Sequence, residues 1–398
     1  MKKISKYIIT ICFLLLIGGF YVFSIYPAGA GIKSMFIGLS KGQRVGPALV
    51  ESVYREKFPA QNFFVSVNGG FQRLMGIRYV NTIAKLDNGY ITYLVEEADM
   101  TGLAGNTVEF RNGLAERGIP FLYVNAPFKV GADDKMLPVG VEDYSNENAD
   151  RFLEMLREND VNVLDLRQEM RSQNIDHYAS FFATDHHWTP ETGFWAFSQV
   201  VDRLSKIDSS FSVDERILDL SNYNIDVHEK ALLGSSGRRT GPLYAGVDDF
   251  PLITPKFDTS LRFYAPRESL EREGSFREAL IFEEHLEQDS VFYPLTYFTY
   301  CGKDYALLEL SNRSSLMELE IVSTPKRLVL IKDSFSEVVI PFLSLCYDEV
   351  LCIDMRTLYR SAFLYIDEFQ PDAVVVLYNP GAYVNNDVMF EFNMEAAE

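Results

Sequence analysis

The chain has 398 residues, of which 47% are hydrophobic, so it is long enough for one large α/β domain with an insertion or for two domains. It contains 56 acidic and 37 basic residues, and its net charge of −19 argues against nucleic acid as a partner and against broad electrostatic binding to anionic surfaces. The four cysteines show no CxxC spacing, which indicates neither a disulfide framework nor a thiolate metal site.

The N-terminus carries an apolar run, YIITICFLLLIGGFYVFSIY at 7–26, of the length that crosses a bilayer. Three lysines precede it, and positive residues stay on the cytoplasmic side, so the rest of the chain is predicted to be exported. Residues 1–31 are predicted to be a single-pass signal anchor, or a signal peptide cleaved near the small residues at 28–30. Residues 32–100 are predicted to form a stalk that leads into the domain, with short strands and turns over 63–92.

Residues 101–390 are predicted to form one α/β domain. Apolar strands alternate with helices, which is typical of a doubly wound parallel sheet covered on both faces, with active sites outside the carboxyl ends of the strands. Residues from about 208 to 326 are more polar, with short β-like pieces such as SLRFYA, and are predicted to be an insertion. The predicted helices are 103–117, 146–158, 190–204, 335–346 and 359–368, and the predicted strands are 119–127, 161–167, 327–333, 349–356 and 372–379.

Ser334 directly follows an apolar strand and precedes a helix in LVLIKDSFSE. A serine in that position can present its hydroxyl at the rim of a sheet, with backbone N–H groups of the next helix available to an oxyanion. The same position also suits a plain N-cap. This segment alone therefore does not decide whether Ser334 is a nucleophile or a helix N-cap.

The segment TDHHW at 184–188 concentrates chemistry just before a helix that Thr189 can cap, with Pro190 in its first turn. A serine nucleophile needs a histidine as base and an acid that orients it. Asp185 and His187 are two residues apart and share one side of an extended loop, while His186 is predicted to point the other way.

Two alternatives remain for this segment. Its histidines can simply be hydrogen-bonded in a helix-entry loop. Asp and His are also metal ligands, but adjacent histidines do not easily meet one ion from a regular backbone, so no metal and no other cofactor are predicted.

TDHHW, followed far downstream by KDSF at 332–335, resembles the SGNH-hydrolase-like family that contains the alginate O-acetyltransferases, and specifically its bacterial Asp-His-His-Trp branch. The segment GSSGRRTGPLYAGVDDF at 234–250 has the look of the same branch, and its arginines suit either contact with an acidic glycopolymer or a plain surface turn. One departure is Lys332, which stands before Asp333 where ordinary SGNH enzymes have glycine.

The resemblance implies a catalytic triad of Ser334, His187 and Asp185. It also implies that Arg356 stabilises an oxyanion or orients a sugar, with a strand-end salt bridge as the alternative. The residues that end the next strand are predicted to line the site, and the tryptophan of TDHHW to wall the pocket or anchor the loop; these are Tyr378, Asn379 and Trp188.

The resulting hypothesis is an exported O-acetyltransferase of a cell-envelope or secreted polysaccharide that works through an acetyl-serine intermediate. The resemblance implies a polytopic membrane-bound O-acyltransferase as acetyl donor, and the N-terminal helix implies a place in the bacterial cell membrane with the domain outside. A carbohydrate esterase of the same fold and a catalytically silent glycan-binding scaffold of an export complex are the alternatives.

Overall fold

The computed structural model describes residues 2–40, 49–51, 53–54, 58, 60–132, 135–314, 326–384 and 387–393. Residues 41–48 of the predicted stalk and 315–325 of the predicted insertion lie outside that description. The chain divides into two compact units, Met1–Phe71 and Gln72–Glu398.

The helices and strands are numbered in chain order. The helices are α1 Lys2–Ser40, α2 Gln61–Leu74, α3 Thr101–Glu116, α4 Ser145–Glu158, α5 Leu166–Ser172, α6 Pro190–Ile207, α7 Glu215–Leu218, α8 Ser235–Thr240, α9 Pro242–Ala245, α10 Phe276–Leu280, α11 Ile340–Cys346, α12 Met355–Leu358 and α13 Ala362–Phe369. The strands are β1 Tyr79–Val80, β2 Ile83–Lys85, β3 Ile91–Tyr93, β4 Phe121–Asn125, β5 Val163–Asp165, β6 Tyr223–Leu232, β7 Asp248–Pro255, β8 Leu261–Ala265, β9 Leu270–Gly274, β10 Leu307–Asn312, β11 Arg327–Lys332, β12 Glu349–Ile353 and β13 Ala373–Tyr378.

The N-terminal unit begins with the long helix α1. Its stretch Phe13–Ser40 has a mean hydropathy of 1.7, and within the described residues it is the one helix long and apolar enough to span a membrane. The apolar run at 7–26, from which the span was predicted, lies entirely within α1.

Helix α2 differs from the strands and turns predicted over the first part of 63–92. The apolar residues Phe64, Val67, Phe71 and Leu74 recur every three to four positions, which is the helical period. The two glycines at 69 and 70, which suggested a turn, lie inside the helix. Short strands begin only at β1.

An eight-stranded sheet in the order β5-β4-β13-β11-β12-β10-β8-β9 forms the centre of the second unit. The first five strands are parallel, in agreement with the predicted α/β fold class. Alternate residues of β11 enter different cores: Leu328 and Leu330 pack on one face, and Val329 and Ile331 on the other. The sheet is therefore covered on both sides, as predicted.

The segment predicted as an insertion contributes directly to this sheet. Strands β10, β8 and β9 pair antiparallel beyond β12 and make the sheet mixed. Buried and partly buried residues alternate along β8, and the partly buried positions hold Arg262 and Tyr264, which made the segment look polar in the sequence. Only the β6-β7 hairpin forms a separate two-stranded sheet in the described part of this segment.

Candidate active site

The turn after β11 carries Ser334 at the carboxyl edge of the parallel strands. Asp333 caps this turn, since its Oδ1 accepts the Phe335 backbone N–H at 2.9 Å and its Oδ2 accepts that of Asn379 at 2.7 Å. The aspartate thus fixes the ends of β11 and β13 to each other. The sequence left open that Ser334 is the N-cap of this turn, but the N-cap is Asp333. Ser334 itself is 9% exposed.

The loop before α6 brings a histidine to this serine. His187 Nε2 lies 2.8 Å from Ser334 Oγ, and His187 Nδ1 lies 2.5 Å from Asp185 Oδ1. Thr189 caps α6 and Pro190 occupies its first turn, as predicted. The structure therefore brings Ser334, His187 and Asp185 into one chain of hydrogen bonds.

The electrostatics of this chain favour an ionised Asp185. Burial by itself raises the pKa of this carboxyl group, but the adjacent His187 and His186, together with hydrogen bonds from His187, hold the pKa well below its usual value. One of these bonds comes from the His187 backbone N–H at 3.0 Å. The carboxylate is thus charged when it orients the imidazole.

An aromatic ring holds the plane of the imidazole. The rings of His187 and Tyr297 stack with centroids 3.8 Å apart and an interplanar angle of 11°. Tyr297 is 2% exposed, and burial raises the pKa of its phenol well above the usual value. Stacking leaves both ring nitrogens of His187 free to point along the line from Asp185 to Ser334.

The His186 side chain lies beside Asp185 and His187, so the prediction that it points the other way was wrong. Its ring lies 3.8 Å from that of His187, and its Nδ1 lies 3.3 Å from Asp185 Oδ1 and 2.9 Å from Ser235 Oγ. The prediction assumed an extended loop, whereas residues 183–187 bend. Burial and the neighbouring His187 lower the pKa of His186 to about 3, so His186 is neutral at neutral pH.

The segment at 234–248 supports the loop that carries Asp185 and His187, and the sequence analysis did not predict this support. The Ser235 backbone N–H donates to Asp185 Oδ2 at 2.5 Å, and the Gly234 N–H donates to Thr184 Oγ1 at 2.8 Å. Asp248 accepts the backbone N–H groups of Ala183 and Thr184 at 2.9 and 2.8 Å. A Cβ on Gly234 would lie 2.2 Å from the Asp185 Cβ, so only glycine allows this approach. The resemblance of 234–250 to the Asp-His-His-Trp branch was the available signal.

Trp188 anchors the loop, which is one of its two predicted roles. Its side chain is fully buried, and its Nε1–H donates to the Phe335 carbonyl oxygen at 2.9 Å. The indole thereby joins the histidine loop to the serine turn. A fully buried side chain offers no surface to a substrate.

Arg356 forms ion pairs at the end of β12, which agrees with the alternative prediction of a strand-end salt bridge. Its guanidinium contacts the carboxylates of Asp354 at 2.5 Å and Asp304 at 3.0 Å. Its side chain is 28% exposed, so part of it faces solvent. A role in binding an oxyanion or a sugar stays a prediction.

The two residues that end β13 are buried rather than presented to a substrate. The Tyr378 hydroxyl donates to the Met389 carbonyl oxygen at 2.8 Å within an aromatic core. The Asn379 amide donates to Pro127 O at 2.7 Å and accepts from Gly381 N at 2.8 Å. Their position at the carboxyl edge of the sheet was predicted, but both side chains form their hydrogen bonds with other parts of the protein.

Lys332, which replaces the expected glycine, belongs to a buried charged cluster behind the serine turn. Its ammonium pairs with Glu337 and with Asp304 at 2.8 Å, and Asp354 lies 3.7 Å away. Burial raises the pKa of the Glu337 carboxyl group, and the adjacent Lys332 ammonium opposes that shift. The lysine thus ties the end of β11 to the turn that starts with Ser334.

Three donors near the site have the composition of a metal site. Ligand atoms of Asp185, His186 and His187 lie within 4.8 Å of one another. Both ring nitrogens of His187 already have hydrogen-bond partners, so an ion bound there would displace Asp185 or Ser334 from the imidazole. The arrangement fits proton transfer better than metal ligation.

The fold and the site together define an α/β domain with a Ser-His-Asp hydrogen-bonded chain at the carboxyl edge of its parallel strands. The resemblance indicated by the motifs is confirmed by a family model, described as the SGNH hydrolase-like domain of the acetyltransferase AlgX, which matches residues 88–216. The match contains Asp185 and His187 and ends before Ser334. No curated protein matches the sequence.

Solved structures share the fold. PatB1 of Bacillus cereus superimposes with a TM-score of 0.63 at 20% identity, covering 78% of this chain and 99% of that one. PatB1 with a sulfonyl adduct gives 0.61 at 18% identity, covering 78% and 97%. A DHHW family protein from Eubacterium siraeum gives 0.58 at 16% identity, covering 79% and 96%.

Proposed function

We propose that this chain is an exported, membrane-tethered serine O-acetyltransferase that acts on a cell-envelope or secreted polysaccharide. The observation that carries the proposal is the hydrogen-bonded chain from Asp185 through His187 to Ser334, with Nε2 of the imidazole 2.8 Å from the serine oxygen. The match of residues 88–216 to an acetyltransferase family model supports the choice of the acetyl group.

In the first half of the reaction, His187 accepts the Ser334 proton while Oγ attacks the acetyl carbonyl carbon. The new C–O bond gives a tetrahedral oxyanion, for which the Ser334 backbone N–H is the proposed donor. The bond to the leaving group then breaks, and that group takes the proton from His187. In the second half, a sugar hydroxyl gives its proton to His187 and attacks the carbonyl carbon of the acetyl-serine. The bond between that carbon and Ser334 Oγ then breaks, and His187 returns the proton to Oγ.

The acetyl donor is proposed to be a polytopic membrane-bound O-acyltransferase. An exported domain needs acetyl groups that cross the membrane, and a single span does not form a path for them. Among the described residues, one helix is long and apolar enough to span. That helix is proposed to tether the domain to the bacterial membrane, on the outside, beside the donor and the acceptor polysaccharide.

The acyl-enzyme is tested by intact-mass analysis of the detergent-solubilised full chain after exposure to 4-nitrophenyl acetate. One acetyl adduct that maps to Ser334 is expected in the wild type, and none in Ser334→Ala or His187→Ala. Ser336→Ala is the matched control, because Ser336 is fully buried in the same turn and its hydroxyl has no partner among the described residues. This control is expected to keep the adduct.

Acceptor oligosaccharides added to the acetylated protein then separate transfer from hydrolysis. Acetyl groups recovered on the sugar support the transferase, and their release only as acetate indicates an esterase. A folded wild-type chain that forms no adduct and shows no turnover would contradict the enzyme and favour a glycan-binding scaffold.

A further inference from the structure

A buried lysine outside the catalytic triad holds the loop that carries Asp185. Lys129 lies four residues after β4 and has no solvent exposure. Its Nζ donates to the carbonyl oxygens of Phe182 at 2.6 Å, Ile91 at 3.0 Å and Ala183 at 3.3 Å, and also to that of Asp185. Three of these four carbonyls belong to the loop that positions the acid and the base.

The two faces of this loop are held by opposite charges. Its carbonyl oxygens converge on the Lys129 ammonium, whereas the N–H groups of Ala183 and Thr184 donate to the Asp248 carboxylate at 2.9 and 2.8 Å. Burial lowers the pKa of Lys129 to about 8, with Asp185 and Asp248 opposing that shift, so the lysine is cationic at neutral pH. The loop is therefore fixed between a cation and an anion.

A cation is required at this position for a physical reason. Four carbonyl oxygens that converge on one buried point repel one another and lose their hydration unless a donor satisfies them. An ammonium has three N–H groups and a full positive charge, and it satisfies the carbonyls much as a bound monovalent cation does. Without it, the carbonyl oxygens of Phe182 and Asp185 lose their donor and must turn toward water, and Asp185 must move with them.

We propose that Lys129 is a positioning residue of the acyl-transfer reaction: its ammonium holds the backbone of residues 182–185 so that the Asp185 carboxylate stays on His187 Nδ1. The inference rests on the proposed function. It differs from that function in assigning a role to a residue that touches neither the substrate nor the reacting atoms.

The first test replaces Lys129 with methionine, whose unbranched side chain is one heavy atom shorter and which removes the donor. A decrease in kcat for 4-nitrophenyl acetate of about 10- to 100-fold with an unchanged KM is expected, because a small displacement of Asp185 affects proton transfer more than binding. Lys256→Met is the matched control, since Lys256 is exposed and also donates to one backbone carbonyl, Ser221 O, at 2.8 Å. Lys129→Met with the wild-type kcat would overturn the proposal.

The second test restores the cation from solution. Lys129→Ala vacates the ammonium position, and added ethylammonium is expected to raise its kcat at least about fivefold, while tetramethylammonium, which has no N–H donor, is not. Equal effects of the two ions would overturn the proposal. If Lys129→Met does not fold, Lys129→Ala refolded in the presence of ethylammonium replaces it, and the ion is then diluted. A decrease in kcat on dilution, with an unchanged near-UV circular dichroism spectrum, supports the proposal. A kcat that does not change on dilution contradicts it.

A third readout does not depend on activity. The proton between His187 Nδ1 and Asp185 is expected to give a downfield NMR signal in the wild type and in Lys256→Met, and to lose or shift it in Lys129→Met. If the wild type forms no acyl-enzyme, the proposed function fails, whatever this signal shows. If the wild type forms it and Lys129→Met keeps both the signal and kcat, only the role of Lys129 fails.

Discussion

At the scale of single residues, the carboxyl group of Asp185 decides which nitrogen of His187 carries the proton. The carboxylate accepts from Nδ1 at 2.5 Å, which leaves Nε2 as the acceptor for the Ser334 hydroxyl 2.8 Å away. It is also held by the backbone N–H groups of His187 and Ser235. The contacts of this one side chain thus set the tautomer of His187.

Asp185→Asn is expected to lower the acylation rate by about 10³- to 10⁴-fold, because an amide that donates to Nδ1 moves the imidazole proton to Nε2. The rate is measured by the burst of 4-nitrophenol release. Asp176→Asn is the control, since Asp176 also accepts two backbone N–H groups nearby, those of Tyr178 and Ala179. An Asp185→Asn burst as fast as that of the control would contradict the role of Asp185.

The neutral His186 predicts how the stability changes with pH. Its pKa in the folded protein is about 3, below its ordinary value of 6.5, so as the pH falls through 6.5 the unfolded chain binds a proton that the folded chain does not. The free energy of unfolding is expected to decrease between pH 6.5 and 3, with a slope from this group of up to about 1.4 kcal/mol per pH unit.

Urea unfolding followed by tryptophan fluorescence checks this expectation, because both tryptophans of the chain, Trp188 and Trp195, lie close to His186 in sequence, at the start of α6. His186→Gln is expected to show a shallower decrease of the unfolding free energy from pH 6.5 to 4 than the wild type. Parallel curves for the two proteins would refute the assignment of a neutral, partly buried His186.

At the scale of helices and strands, the sequence predicted those elements whose signals are local. Helix α6 has its threonine cap and its proline in consecutive positions, and β11 and β13 are continuous apolar runs. The places of β8, β9 and β10 were not predictable, because membership in the main sheet depends on pairing with strands distant in sequence.

The support of the catalytic loop shows the same limit. Residues 184–188 were singled out from their own motif, but Gly234 is separated from Asp185 by almost fifty positions, and Lys129 by more than fifty. Nothing in one sequence brings those positions together. The predicted direction of the His186 side chain was wrong, because the bend of residues 183–187 is held by these distant contacts rather than by residues of the loop itself.

Gly234→Ala is expected to damage the site through the packing of α8 on this loop. The added Cβ would meet the Asp185 main chain, with its Cα at 2.4 Å, so the two segments must separate. A decrease in kcat of about 10- to 100-fold and a loss of about 1–3 kcal/mol in the free energy of unfolding are expected. Steady-state kinetics and urea unfolding measure the two effects.

Gly105→Ala in α3 is the control, and it is expected to change the free energy of unfolding in the opposite direction. A Cβ there meets nothing within 4 Å, and alanine is about 1 kcal/mol more favourable than glycine inside a helix. It is expected to stabilise the protein and leave kcat unchanged. If Gly234→Ala behaves like Gly105→Ala, the close approach of α8 to Asp185 does not matter for the reaction.

At the scale of the whole molecule, the chain combines an apolar helix with a domain of the opposite character. Helix α1 has 39 residues, or about 58 Å at 1.5 Å per residue, which exceeds the roughly 30 Å of a hydrocarbon core. The rest of the chain holds nearly all of the charged residues, with a large acidic excess. This division fits a tethered domain that works in water and attracts no polyanion.

The full chain is expected to sediment with membranes and to resist extraction by alkaline carbonate, because α1 is long and apolar enough to span a bilayer. Added protease is expected to degrade the C-terminal domain in intact spheroplasts, since the lysines before the span keep only the N-terminus inside. Replacing Lys2, Lys3 and Lys6 with glutamine serves as the comparison, and a larger protected fraction is expected from it. A wild-type domain that becomes accessible only after lysis would place Ser334 in the cytoplasm, away from any exported polysaccharide, and would contradict the proposed reaction even if the purified protein forms an acetyl-serine.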